Sequence, residues 1–370
     1  MRILFLAAII AHTSISVVLA QQPKKPTASQ IYHKLEKLNF LGSALYVAAH
    51  PDDENTRLIS YLANDMHAKT AYLSLTRGDG GQNLIGPQIR ELLGVIRTQE
   101  LLAARATDGG KQLFTRANDF GYSKHPDETL EIWNKDEVLS DVVRAIRKFK
   151  PDVIINRFNH RNPGSTHGHH TASAMLSFEA FDLAGDATKF PETATTYGSW
   201  QPKRLLFNTS WWFYGSKEKF EKADKSKLVS VETGNYYPAL GLSNGEIASL
   251  SRSMHKSQGF GSTGTRGKQT EYLEFLKGEF PQDTTNVFDS IDTSWSRIQG
   301  GGAIGNILNP LLNTFNFQDP STIVPDLLLA YKLLKDSKKG HWRTIKLKEL
   351  EDLIIACSGV FLEAVSSKES

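Results

Sequence analysis

The chain has 370 residues, 40% of them hydrophobic and 22% charged, with a formal charge of +3. That balance is ordinary for a soluble globular protein of one large or two smaller domains, and the basic residues form no stripe interleaved with aromatics, which argues against a nucleic-acid partner. A single cysteine, Cys357, excludes an intrachain disulfide, so the fold must rest on its hydrophobic core.

Residues 1–20 stand apart. Arg2 supplies a positive start, "ILFLAAIIAHTSISVVLA" an apolar run, and Val18-Leu19-Ala20 the small residues that a signal peptidase reads. His12, Thr13 and the serines interrupt a run already shorter than the roughly 20 clean apolar residues a spanning helix needs. A cleaved signal peptide is therefore expected, with export to the periplasm or the extracellular space if the source is bacterial. The mature chain would begin at Gln21 with a lead-in over 21–42, of which "QQPKKPTASQ" reads as flexible. No later segment reaches membrane-spanning length.

From 43 to 215 short apolar runs alternate with helix-period stretches. "ALYVAA" (44–49), "TAYLSLT" (70–76), "DVIINRF" (152–158) and "RLLFNTSWWF" (204–213) read as strands buried on both faces. Helices are predicted near 55–65, 88–107, 136–149 and 168–184, with "RAIRKFK" (144–150) as a solvated helix face. Such alternation implies an α/β fold, Rossmann-like, with three α/β/α layers around a mostly parallel sheet. Ligands of these folds bind beyond the carboxyl ends of the strands.

After 215 the pattern changes. "GSKEKFEKADKSK" (215–227) is a charged connection, and "LVSVETGNYYPALG" (228–241) with "SNGEIASLSRSMHKSQGFG" (243–261) reads as a strand-loop-helix insertion. Residues 216–302 are read as an insertion completing the catalytic domain, and 303–370 as a helical segment with helices near 304–314, 322–336 and 346–366.

Two polar clusters each follow a predicted strand. The first is His50-Pro51-Asp52-Asp53-Glu54. An N-cap role explains Asp52 or Asp53 but leaves His50 and the other acid idle. A chemical role makes His50 and one Asp metal ligands and frees the second Asp to handle a proton. Pro51 stiffens the turn that presents them. The second is "RFNHRNPGSTHGHHTASAML" (157–176), where Ser165 or Thr166 would cap a helix. His167 and His170, three apart, then share a face while His169 points elsewhere. Two His and one Asp with an open position suit a hydrolytic zinc site, and also the facial triad of non-haem iron. An exported chain without an evident redox partner favours zinc.

"AHPDDE" at a strand end, a distant His-x-x-His, "LTRGDGGQNLIG" (75–86) and "RTQE" (97–100) together resemble the LmbE-like, or PIG-L, family of metal-dependent N-acetylglucosamine deacetylases, over about residues 43–215. The resemblance implies that His50, Asp53 and His170 hold a divalent metal, zinc or alternatively iron(II). It also implies Asp52 as general base and His167 as a stabiliser of the transition state. Family members often carry Asp where this chain has His169, which leaves His167 without that carboxylate. Arg77, Asp79 and Arg97 match pocket positions, and His255 is a further substrate-side candidate; a surface pair with Glu100 is the competing reading of Arg97. Glu54 reads as a structural acid at a helix start. "SWWFY" (210–214) reads as core before sugar-stacking, and His33, His67, His125 and His341 as ordinary residues.

The implied activity is hydrolysis of an acetamide on an N-acetylated sugar or glycoconjugate. Three alternatives compete: an amidase of the same fold on a non-sugar substrate, a glycan-binding protein without catalysis, and a non-haem iron oxygenase, which would call for a β-barrel.

Overall fold

The structure, a computed structural model, describes residues 25–360. The predicted signal peptide and the end of the predicted helix 346–366 lie outside the described residues.

Helix α1 (Ala28–Leu38) starts inside the predicted lead-in. Thr27 and Gln30 form a capping box, each side chain accepting from the other's backbone N–H, and Ile31, Leu35 and Leu38 are buried on one face. The Thr-x-x-Gln signal before an apolar period is what makes this a helix.

Alternating elements follow: β1 (Ser43–Ala48), α2 (Thr56–Asn64), β2 (Lys69–Ser74), α3 (Glu91–Asp108), β3 (Lys111–Phe114), α4 (Pro126–Ile132), α5 (Lys135–Phe149), β4 (Val153–Asn156), α6 (Gly168–Leu183), α7 (Pro191–Tyr197) and β5 (Arg204–Thr209). The chain continues through α8 (Lys217–Lys222), β6 (Leu228–Glu232), β7 (Tyr236–Tyr237), β8 (Leu242–Ser243), α9 (Asn244–Arg252) and β9 (Thr270–Gly278), then α10 (Gly301–Thr314), α11 (Val324–Asp336) and α12 (His341–Ser358).

Seven strands form one sheet in the order β3-β2-β1-β4-β5-β9-β6. The first five are parallel, with Ala44 of β1 opposite Thr70 and Val153, while β9 runs antiparallel between β5 and β6. Along β1, Tyr46 and Ala48 join one apolar layer with Leu58 and Leu62 of α2, and Leu45 and Val47 join another with Val142 and Leu176 of α5 and α6. Both faces of the strand are covered, which is why its sequence is continuously apolar. The fold is therefore the expected three-layer α/β/α arrangement around a mostly parallel sheet, not the β-barrel that the oxygenase reading required.

Other expectations are corrected. Strand β3 is too short, and β9, "TEYLEFLKG", too rich in charge, to have stood out as buried strands. Strand β5 stops at Thr209; Trp211–Tyr214 form a 3₁₀ turn closed by left-handed Gly215, leaving Trp211 and Trp212 exposed instead of in the core. Arg147 is not on a solvated face. It is fully buried and donates to the carbonyls of Leu183, Ala184, Asp186, Lys189 and Phe190, tying α5 to the chain between α6 and α7.

The helical tail builds a core of its own together with α1. Leu35, Leu38, Trp295, Leu308, Leu327 and Leu350 pack in that cluster, and the buried Lys346 ammonium donates to the carbonyls of Lys37 and Phe40. Arg297 anchors this unit to the sheet through two bonds to Asp152.

Strand order reverses between β1 and β4, because the chain leaves β1 toward β2 on one side and returns to β4 on the other. The crevice beyond their carboxyl ends is where this topology presents a ligand site.

Candidate active site

The loop after β1 carries His50 to Asn55, and its helix cap is Asn55, whose side chain accepts from Leu58 N–H. Asp52 and Asp53 are thereby released from capping. Asp52 sits at φ +79°, a left-handed conformation that Asp tolerates better than most residues. Arg97 holds it there, donating to the Pro51 carbonyl at 2.6 Å and to Asp52 Oδ1 at 3.1 Å. Arg97 is therefore a buried partner of the general-base candidate. It is not paired with Glu100, which accepts instead from Ser257.

The loop after β4 leads to α6, whose cap is His167, in place of Ser165 or Thr166. His167 Nδ1 accepts from His169 N–H at 3.1 Å. In a neutral imidazole this places the ring proton on Nε2, leaving one donor free toward the cleft. Gly168 lets this turn approach α4 closely, since a Cβ there would meet Ser123 Oγ at 2.5 Å and the His125 carbonyl at 2.6 Å.

The two loops converge. One ligand atom each from His50, Asp53 and His170 lie within 4.8 Å of one another. Asp53 spans the two histidines, with Oδ2 3.2 Å from His50 Nδ1 and Oδ1 3.4 Å from His170 Nε2. Burial alone would raise the Asp53 pKa, but the two histidines hold it well below the carboxylate range. Two imidazoles and one ionised carboxylate around a common point form a donor set that fits a divalent cation. Beside it, burial lifts the Asp52 pKa to about 6, against the pull of Arg97. Burial and the facing His50 and His170 push His167 down to about 4.

His169 corrects the sequence reading. It does not point elsewhere; it is fully buried, and its Nδ1 is 2.9 Å from His50 Nε2. A tautomer in which His50 Nε2–H donates to His169 leaves His50 Nδ1 as a lone pair facing Asp53, the orientation a ligand needs. His169 thus supports His50, and Asp119 Oδ1 lies 3.7 Å from the same His169 Nδ1. The loop carboxylate Asp119 was not singled out in the sequence, where no spacing links it to either cluster.

Glu54 is also not a helix-start acid. Its carboxylate is buried between Arg105 Nη2 at 3.2 Å and His255 Nε2 at 2.8 Å. His255 consequently lies beneath the loop and is shielded from the cleft. Arg77 and Asp79 face a separate groove: the Arg77 guanidinium stacks 4.1 Å over Phe114, and Asp79 Oδ1 accepts from Asp119 N–H. Of the four substrate-side candidates, Arg97 alone lines the cleft at the cluster. Among the histidines read as ordinary, His125 caps α4 and His33 contacts Glu36 and Asn64.

Comparison with known proteins adds the family. Residues 45–181 match the family described as PIG-L, GlcNAc-PI de-N-acetylase. The mycothiol S-conjugate amidase of Streptomyces coelicolor is 27% identical over 176 residues, 44% of this chain and 59% of that protein. The N,N'-diacetylchitobiose deacetylase of Pyrococcus horikoshii aligns at 18% identity and a TM-score of 0.37, over 45% of this chain and 59% of that one. The 4-carboxy-2-hydroxymuconate hydratase of Pseudomonas putida aligns at 15% identity and a TM-score of 0.41, over 64% and 97%. The chain thus spans 59% of the length of this curated relative. The segment that matches this family, 45–181, contains both converging loops.

Proposed function

We propose that this chain is an exported, metal-dependent hydrolase that removes the acetyl group from an N-acetylated amino sugar or glycoconjugate. The observation that carries the reading is the convergence of His50, Asp53 and His170 beside Asp52, a carboxylate held apart from the ligand set by Arg97. The family description names a de-N-acetylase and the curated relative is an amidase, so both point to amide hydrolysis. The residues at 1–20 support export.

His50, Asp53 and His170 would hold a divalent cation, which would supply an acidified water and polarisation of the amide carbonyl. Asp52 accepts the proton of the attacking water. Arg97 keeps its carboxylate oriented and anionic. As the carbonyl oxygen gains charge, the free Nε2–H of His167 donates a hydrogen bond to it, a role that a neutral imidazole fills without a second proton. Asp52 then returns the proton to the departing nitrogen, so that one amide and one water become acetic acid, which ionises to acetate with release of its proton, and a free amine.

The test is Asp52→Asn. Metal binding is expected to persist while acetate release from N-acetylglucosamine substrates falls by about 10²- to 10⁴-fold. Undiminished release at full metal content would overturn the mechanism. A non-sugar amide in the same assay separates the sugar deacetylase from the amidase of the same fold.

A further inference from the structure

Charge accounting around the cluster leaves a remainder. Asp52 is matched by Arg97 and Glu54 by Arg105, while Asp53 faces His50 and His170. On the same rim Arg57 pairs with Glu271, and farther along the loop after β4 Arg161 pairs with Glu274. Arg157 and Arg252 are different. Both line the cleft of about 630 Å³ that opens beside Asp52, Asp53 and His170, and among the described residues neither has a carboxylate partner.

The two arginines stand on separate elements. Arg157 is the first residue after β4, next to Phe158, whose ring stacks on His170 at 3.8 Å. Arg252 ends α9, and its guanidinium carbon lies over the Phe260 ring, 4.0 Å from the centroid, with Nη1 3.4 Å from the Asp52 carbonyl. A guanidinium stacked on a ring keeps its in-plane N–H edges free, the geometry that binds a carboxylate or phosphate. Both groups are half-buried, so each has lost part of its hydration without gaining a counter-ion. A neutral ligand would leave them so.

We propose that this cleft is an anion subsite in which Arg157 and Arg252 bind a carboxylate or phosphate carried by the amide substrate. The inference rests on the proposed amide hydrolysis, and deepens it by naming the substrate as an acidic amide. Phe158 and Phe260 supply apolar surface for the part of the substrate between the anion and the scissile bond.

The experiment compares acetate release from N-acetylglucosamine, N-acetylmuramic acid and N-acetylglucosamine 6-phosphate by the metal-loaded chain. Wild type is expected to favour an acidic substrate by about tenfold or more in kcat/KM, with the preference shrinking as salt rises. Whichever of the two acids wins identifies the anion as carboxylate or phosphate. Arg157→Gln and Arg252→Gln are each expected to reduce the acidic-to-neutral ratio by about tenfold through KM, and the Lys variants to retain part of it. A ratio near unity, or one unchanged in the double Gln variant, overturns the subsite and leaves the deacetylase reading standing. If no substrate releases acetate, calorimetric binding of N-acetylglucosamine 6-phosphate decides. Loss of binding in the double Gln variant upholds the subsite while the deacetylase reading falls, and equal binding overturns the subsite.

Discussion

His169 and Glu54 show how a side chain's role depends on what lies behind it. The spacing of His167, His169 and His170 sorts them by helix face, but the helix begins only at Gly168, so His169 is directed by the cap and not by helical periodicity. Its contact with His50 Nε2 makes it a support for the proposed metal ligand. His169→Ala is expected to lower metal affinity by about 10- to 100-fold, measured by competition with a chelator, and unchanged affinity would remove that role. Glu54 was legible as structural, yet its partners Arg105 and His255 lie 51 and 201 residues away. Arg105 also donates to Asp108 at 2.6 Å, so Arg105→Met removes the one guanidinium shared by two buried carboxylates, leaving Glu54 to His255 and Asp108 to Ser251. The expected cost is about 3–5 kcal/mol, read as a lower urea midpoint. A midpoint within error of wild type would show that the pairs contribute nothing.

At the scale of elements, the sequence pattern placed β1, β2, β4 and β5 and the helices α2, α3, α5 and α6 within a few residues, because strands covered on both faces must be apolar throughout, while the short α4 and α7 were not anticipated. The same logic missed β3 and β9, whose partial exposure permits Lys and Glu. The start of α6 carries the chemistry. Its close approach to α4 depends on Gly168, where a side chain would collide with Ser123, His125 and Thr129. Gly168→Ala is expected to destabilise the fold by about 1–3 kcal/mol and to weaken metal binding by displacing His167 and His170 together. Calorimetric titration with zinc checks this, and full-strength binding would show that α6 can shift without moving its histidines.

At the scale of the molecule, the insertion is bolted onto the site loop and onto α3. His255 reaches Glu54, Ser257 reaches Glu100, and Ser251 reaches Asp108. The folded chain also keeps several histidines neutral. Burial pushes His67 and His160 from 6.5 to about 4 and His341 to about 3. The unfolded chain therefore binds more protons than the folded one in this window, and stability rises with pH across it. Expressed the other way, the contribution is complete above pH 6.5 and is lost as pH falls toward 4 and then 3. Urea midpoints of the metal-free chain should fall steadily over that range, and a flat profile would mean that these histidines are solvated. What the sequence by itself determined is the local chemistry: a periodic α/β pattern, two donor clusters after strands, and a family resemblance that assigned their roles. The tertiary structure alone decided which charges are already neutralised, that His169 faces inward, that Arg77, Asp79 and His255 turn away from the cluster, and that Arg157 and Arg252 meet across a cleft. The reason is that periodicity and capping act over a few residues, whereas pairing, burial and charge balance are set by chain segments a hundred or more residues apart.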